Sequence, residues 1–281
     1  MTELSHSTLE MPLAVEPTVA IAAAATDSHG EPLRVALLTN EIPPYRVPLY
    51  RELAATPNWD FHVLTCVDRE HSRQWAVEEN LGFSSRRSKS YSYMRRVPRI
   101  GAAEYCDQYQ VHIPVGLWGD LRRLQPDVII SSELGARTVI AAAYAKAAHK
   151  TLCVYYEGTP HTDRQLGFIQ RWIRRALRNA PHAFLSNGSQ GRIYLESLGV
   201  SQQRIFEIGQ ALDTTSFDAV PDPAQRDATR TRLNVSGICY LFVGRLVPGK
   251  GLSELFDAWK AFCQAQSVDA TLLLVGDGEQ R

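Results

Sequence analysis

The sequence predicts an α/β protein in which one doubly wound parallel sheet is followed by the first part of a second. Three observations carry this. Short runs rich in Val, Ile and Leu alternate with segments of helical period along most of the chain, the pattern of strands covered by helices on both faces. A glycine-rich turn, Gly244-Arg245-Leu246-Val247-Pro248-Gly249-Lys250-Gly251, lies between one such run and an amphipathic helix. The length of 281 residues suits two domains better than one.

The elements follow in order. Residues 1–31 carry Ser, Thr, Pro, Ala and Glu without periodicity and read as a disordered tail. The first domain, 32–208, opens with a strand at Val35–Thr39 and a helix at Val47–Ala55, which Pro48 enters at its first turn. A strand at Phe61–Val67 comes next. Val128–Ser131 then leads to a helix at Ala136–Ala148, Leu152–Tyr156 to a helix at Leu166–Arg178, and Ala183–Ser186 to a helix at Ile193–Leu198. Parallel sheets bind ligands beyond the carboxyl ends of their strands, so the loops at 40–46, 131–137, 157–164 and 187–191 are the candidate site. Residues 209–236 read as a linker. The second domain, 237–281, has a strand at Cys239–Val243, a helix from Leu252 to Gln266 and a strand at Ala270–Val275. It falls far short of the typical domain of about 100–150 residues. One βαβ unit cannot cover its own sheet, and Phe242, Leu272 and Leu274 would stay wet at about 1.5–3 kcal/mol each. The expectation is a truncated chain, an incompletely read gene, or a remnant that pairs with another chain.

The turn at Gly244–Gly251 reads as a diphosphate cradle. Its glycines let the backbone approach a ligand, and the following helix points N-terminal amides at an anion. The Arg245 guanidinium takes phosphate oxygens bidentately, whereas Lys250 acts as a point charge.

Gly-Arg-Leu-x-x-x-Lys-Gly-Leu at 244–252, with Leu255, Ala258 and Phe262 down one helix face and Thr271-Leu272-Leu273-Leu274-Val275-Gly276-Asp277-Gly278 beyond, resembles the family 4 glycosyltransferases of the GT-B fold. Arg34–Asn40 is similar to the family's first strand, with Ile42-Pro43-Pro44-Tyr45-Arg46 where many members carry a Gly-rich loop. Gly209–Phe217 is similar to the stretch joining the two domains. The resemblance implies two Rossmann-like domains, an N-terminal one for acceptor and a C-terminal one for a nucleotide-diphospho-sugar. Gly244, Arg245, Lys250 and Gly251 then lie on the donor diphosphate. It further implies retention, with the departing diphosphate helping to take the acceptor proton, no metal, and no cofactor beyond the nucleotide-sugar co-substrate. Two family features are absent. The Glu-x7-Glu pair would fall beyond Arg281, and Ser131-Ser132-Glu133 and Glu157-Gly158-Thr159 stand where an N-domain His is expected.

Several N-domain residues carry rival readings. Glu157 and His161 are the catalytic candidates, as sugar ligands or general bases, in a loop where Thr162 or Asp163 also suits a helix cap. Tyr45 and Arg46 read either as donor or acceptor contacts or as parts of a rigid Pro-turn. Glu133 is a candidate carboxylate or a favourable charge at a helix N-terminus. Arg86, Arg87, Lys89, Arg95, Arg96 and Arg99 interleave with Tyr91, Tyr93 and Met94, with no acid from Ser84 to Ala103. Residues 86–99 are thus a candidate for peripheral contact with anionic membrane or a lipid-linked acceptor, or else a solvated loop. The helix containing Gln170–Arg178 sets arginines against Trp172, Ile173, Ala176 and Leu177. Such a stripe is expected to bury against the sheet, with a membrane interface as the alternative.

Composition excludes other classes. Thirty basic residues balance thirty acidic ones, so no global attraction to nucleic acid exists. Five scattered cysteines form neither a disulfide framework nor a zinc site. No export signal is evident, and no window approaches the roughly 20 apolar residues of a membrane span. The expected place is the cytoplasm, with the inner face of the membrane as a peripheral station. The expected function is transfer of a sugar from a nucleotide-diphospho-sugar to a hydroxyl on a saccharide or lipid-linked acceptor, in surface polysaccharide or glycolipid assembly. A nucleotide-sugar epimerase is the rival enzyme, kept open by Glu133, Glu157 and His161. A non-catalytic remnant or partner-completed scaffold is the rival of another class.

Overall fold

The computed structural model describes residues 30–70, 75, 80–98, 106–161, 166–215, 219, 222–266 and 268–281, with backbone alone at 96–98 and 106–109. The tail at 1–29, the Arg96 and Arg99 side chains and the caps expected at Thr162 and Asp163 lie outside the described residues. The chain divides into two compact units, Met1–Ser90 with Pro114–Gln210, and Tyr91–Ile113 with Ala211–Arg281.

The first unit is a seven-stranded sheet. Its strands are β1 (Leu33–Thr39), β2 (Trp59–Thr65), β3 (Ser84–Arg87), β6 (Val128–Ser131), β7 (Thr151–Tyr156), β8 (Ala183–Ser186) and β9 (Ile205–Glu207), in the spatial order β3-β2-β1-β6-β7-β8-β9. Every neighbouring pair is parallel. The chain builds outward from β1 to β3, then returns to lay β6 on the other side of β1. The β1/β6 crevice is therefore the topological switch point, where open parallel sheets bind ligands.

Alternation along β1 splits the core. Ala36 and Leu38 pack with Leu117 and Leu121 of α2 (Leu117–Leu124) and Ala141 and Tyr144 of α3 (Ala136–Ala148). Val35 and Leu37 pack with Tyr50 of α1 (Val47–Ala54), Phe61 and Val63. A third cluster joins Val154, Tyr156, Phe184, Leu195 and Ile205 to Leu177 of α4 (Phe168–Leu177), beside α5 (Ser189–Ser197). Fully buried Leu and Phe side chains of this kind contribute about 1.5–3 kcal/mol each.

Two expectations are corrected. The basic run is not simply a loop: Ser84–Arg87 is the edge strand β3, and β4 (Tyr91–Pro98) pairs antiparallel with β5 (Cys106–Ile113). Helix α4 does not bury its whole apolar stripe. Leu177 is buried and Ile173 half-buried, but Trp172 is exposed, and the inward face holds Arg174 instead. The Arg174 guanidinium donates to the hydroxyls of Tyr156 and Tyr194 (2.8 Å for Tyr194) and lies over both rings, which stack at 5.5 Å. Burial pushes the Tyr156 hydroxyl well above the ordinary tyrosine range. Two phenol oxygens and two aromatic faces thus hold this cation at the inward side of the helix.

In the second unit β10 (Ile238–Val243) pairs parallel with β11 (Ala270–Val275), and α7 (Leu252–Ala265) connects them. Tyr240 meets Trp259 and Phe262 of α7 edge-on at 5.5 and 5.6 Å. The same face carries Phe242, Leu272 and Leu274, which are half-buried rather than wet. Leu241, Val243 and Val275 of the opposite face are exposed, and so are Ile238 and Tyr240 on the α7 face. A helix α6 (Pro223–Arg232) precedes β10 and is capped by Asp222, whose carboxylate accepts from the Ala224 amide at 3.1 Å.

Candidate functional site

In the first unit two buried arginines reach across the switch point. Arg137 stands at the second position of α3, where a cation opposes the helix dipole. Its partners offset that cost. Nη1 donates to Asn40 Oδ1 at 2.8 Å, Nη2 donates to Ser132 Oγ at 3.1 Å, and the guanidinium lies 3.7 Å from Glu133 Oε2. The side chain thereby ties the end of β1 to the end of β6. Cys66 Sγ lies 3.8 Å from Nη1, and burial pushes its thiol up, against the pull of that cation.

Arg46 follows from the loop after β1. Pro43 and Pro44 open a 3-10 turn at Pro44–Arg46, which delivers the guanidinium inward. Nη2 donates to Tyr155 Oη at 2.9 Å and to Glu157 Oε1, and the cation lies 5.3 Å from the Tyr155 ring centre. Tyr155 and Gln210 donate to the same Oε1 at 2.7 and 3.3 Å. Burial would lower the Arg46 guanidinium, but the Tyr155 hydrogen bond and the Glu157 charge together hold it above its ordinary value. Burial, aided by the Glu157 carboxylate, pushes Tyr155 up to about 12.

These contacts sort the sequence candidates. Glu157 and Arg46 are brought together; three donors on Oε1 exceed its two lone pairs, so a substrate hydroxyl would have to meet Oε2. Glu133 folds back on its own helix, where Oε1 accepts from the Arg137 amide at 3.3 Å. It serves as a helix N-terminal charge and as the partner of Arg137. Tyr45 is half-exposed, edge-on to Trp75 at 6.3 Å. His161 is exposed in the turn at 160–161, and no described contact joins it to Glu157. Sequence reasoning missed Arg137; its signal was a cation where a helix N-terminus disfavours one.

The second unit presents a different surface. After β10 and β11 the two chains stay in backbone contact: Gly244 N donates to Val275 O at 3.0 Å, Leu246 N to Asp277 O at 2.9 Å and Gln280 N to Leu246 O at 3.0 Å. Glycine is required there. A Cβ on Gly276 (φ +151°) would stand 1.8 Å from Gly244 O, and one on Gly278 (φ +158°) 2.3 Å from Leu246 O. Pro248–Lys250 form a 3-10 turn and Gly251, at φ +74°, opens α7 without any side-chain cap. The first α7 bond is Leu255 N to Gly251 O, so the amides of Leu252, Ser253 and Glu254 precede it. Arg245 and Lys250 are exposed, and neither has an ion-pair partner among the described residues. Also among the described residues, no group of three or more His, Cys, Asp or Glu is arranged to hold a metal ion, and no helix is long and apolar enough to cross a membrane.

No protein-family model matches the chain, and no curated protein does. Solved structures do. Anabaena HepE in complex with UDP superposes with a TM-score of 0.65 at 14% identity, over 88% of this chain and 61% of that one. The fold is GT-B-like. S. aureus MnaA with UDP gives 0.54 at 12% identity, over 86% and 62%. A UDP-N-acetylglucosamine 2-epimerase gives 0.52 at 13%, over 86% and 63%. The chain thus spans about three-fifths of the length of the structures it matches. The likeness covers architecture: an α/β molecule whose first unit is a seven-stranded parallel sheet.

Proposed function

We propose that this GT-B-like chain handles a nucleotide-diphospho-sugar and transfers its sugar, with retention, to a hydroxyl of a saccharide or lipid-linked acceptor, as a family 4 glycosyltransferase does. The single observation that carries the proposal is the turn at Gly244–Gly251, with a helix N-terminus that has no side-chain cap and two exposed cations that have no acidic partner among the described residues. By contrast α6 is capped by Asp222, which accepts from the Ala224 amide. Backbone amides at the start of α7 and the Arg245 and Lys250 side chains would bind the diphosphate and stabilise the charge it gains on departure, the preorganised electrostatic contribution that is usually largest in such reactions. UDP is the nucleotide to try first, because HepE and MnaA were both solved with it. In the first unit Arg46, held by Glu157 and Tyr155, would orient acceptor hydroxyls at the carboxyl ends of the strands, with Glu157 Oε2 as the available acceptor of a proton.

The test is a donor screen with the full chain. UDP-glucose and UDP-N-acetylglucosamine are incubated with and without a hydroxyl acceptor, and UDP release is followed. Acceptor-dependent release lost in Lys250→Ala supports transfer, and absence of both turnover and UDP binding favours the non-catalytic remnant or scaffold. A second reading, epimerisation, is favoured by one observation, the comparable likeness to a UDP-N-acetylglucosamine 2-epimerase. It predicts inversion at the sugar C2 without acceptor, visible by proton NMR.

A further inference from the structure

Helix α4 exposes the wrong residues for a solvated helix. Phe168, Ile169 and Trp172 are 78%, 71% and 62% accessible, three large apolar side chains within five positions. Such clusters on a soluble surface mark interaction sites. The helix faces explain the arrangement. Ile173, Arg174 and Leu177 turn inward, so the opposite face carries Phe168 and Trp172 one turn apart, beside Arg171 and Arg175, also one turn apart. A groove of about 460 Å³ between α4 and α5 is lined by Phe168, Arg171, Trp172, Arg175, Tyr194 and Leu198 among others.

Charge selects the occupant. From Arg164 to Leu195 the sequence has six arginines and no Asp or Glu, and Arg171 and Arg175 have no ion-pair partner among the described residues. The other basic segment differs: Arg86 is paired with Asp120 at 3.1 Å, and Arg87 with Asp68. An acidic protein partner would be met by arginines alone, without three apolar side chains in the same ridge. Aromatic and aliphatic side chains flanked by cations along one short helix fit a surface that is anionic outside and apolar just beneath.

We propose that α4 seats the protein on an anionic lipid bilayer, with Phe168, Ile169 and Trp172 entering the acyl boundary and Arg171 and Arg175 meeting headgroup phosphates. The helix lies in the plane of the interface. This docking is independent of the sugar chemistry proposed above.

The test is co-sedimentation of the full chain with vesicles of phosphatidylcholine alone or with equal parts phosphatidylglycerol. Binding is expected only with the anionic lipid, falling as salt rises. Phe168→Ser with Trp172→Ser should weaken it at least tenfold, and each of Arg171→Gln and Arg175→Gln by roughly fivefold. All four positions are exposed, so thermal melts should stay unchanged; Leu177→Ala, which loosens the helix from below, should lower the melt while leaving these side chains in place. Equal binding to neutral vesicles, or unchanged binding in the serine variant, would overturn the proposal. So would absence of vesicle binding together with a concentration-dependent dimer that the serine variant abolishes, which would make the face a contact between copies.

Discussion

The two units hold their cations in opposite ways. In the first, Arg46 and Arg137 are buried and their guanidinium groups hydrogen-bond to other segments: Tyr155 and Glu157 for Arg46, Asn40 and Ser132 for Arg137. In the second, Arg245 and Lys250 stand in solvent beside a helix start with no side-chain cap. Buried paired arginines fix the geometry of a sheet end, because removing one leaves polar partners stranded. Exposed cations with no ion-pair partner among the described residues contribute little to folding and are ready for an anion beside a helix start. The same residue types therefore belong to different links of the chain from fold to function.

The largest expected effect tests how tightly the second unit is built. Gly276→Ala forces a Cβ into Gly244 O, and strain with overpacking should cost about 2–6 kcal/mol. Hydrogen exchange should then show β10, α7 and β11 opening while β1, β6 and β7 stay protected; equal protection in both units would break the distinction. Next comes Arg137→Met, which should destabilise the first unit by about 3 kcal/mol, read from urea unfolding. A loss below half a kilocalorie would mean the switch point does not depend on this bridge. The same measurement on Lys250→Ala sharpens the contrast, since an exposed, unpaired lysine should shift stability by no more than about 0.5 kcal/mol.

A smaller effect follows from pH. Tyr50 and Tyr155 are pushed up to about 12, Tyr50 by burial and Tyr155 by burial with its Glu157 contact. Between the unfolded value of about 10 and 12 the folded state holds more protons than the unfolded one, so stability falls as pH rises through that window. The urea midpoint of the first unit should be flat up to pH 9 and decline between 10 and 12. Tyr155→Phe should reduce the decline; an unchanged decline would show that Tyr155 does not carry it.

Much of the fold was legible. Val128–Ser131, Ala136–Ala148, Ala183–Ser186 and Ala270–Val275 stand where apolar runs and helical periods place them, because buried parallel strands leave a continuous hydrophobic signature. The edge strand β3 was not legible: Ser84-Ser85-Arg86-Arg87 has no apolar face, and an edge strand needs none. The exposure of Trp172 was missed for a related reason. Periodicity shows that a helix has two faces, but which one turns inward was decided by Arg174, whose partners Tyr156 and Tyr194 come from other elements. In the second unit the close backbone approach falls at Gly276 and Gly278, against Gly244 O and Leu246 O, where the glycines of the sequence mark it. The bridges from Arg46 and Arg137 join residues about a hundred positions apart, and no local pattern encodes such a pairing.

The most direct test of the central claim is calorimetric titration of the full chain with UDP, with uridine as the control lacking phosphates. UDP should bind and uridine should not, Arg245→Ala with Lys250→Ala should weaken UDP by at least tenfold, and the melting temperature of that variant should be unchanged without ligand. UDP bound equally by the wild type and the double variant, or no UDP binding by the wild type, would contradict that claim.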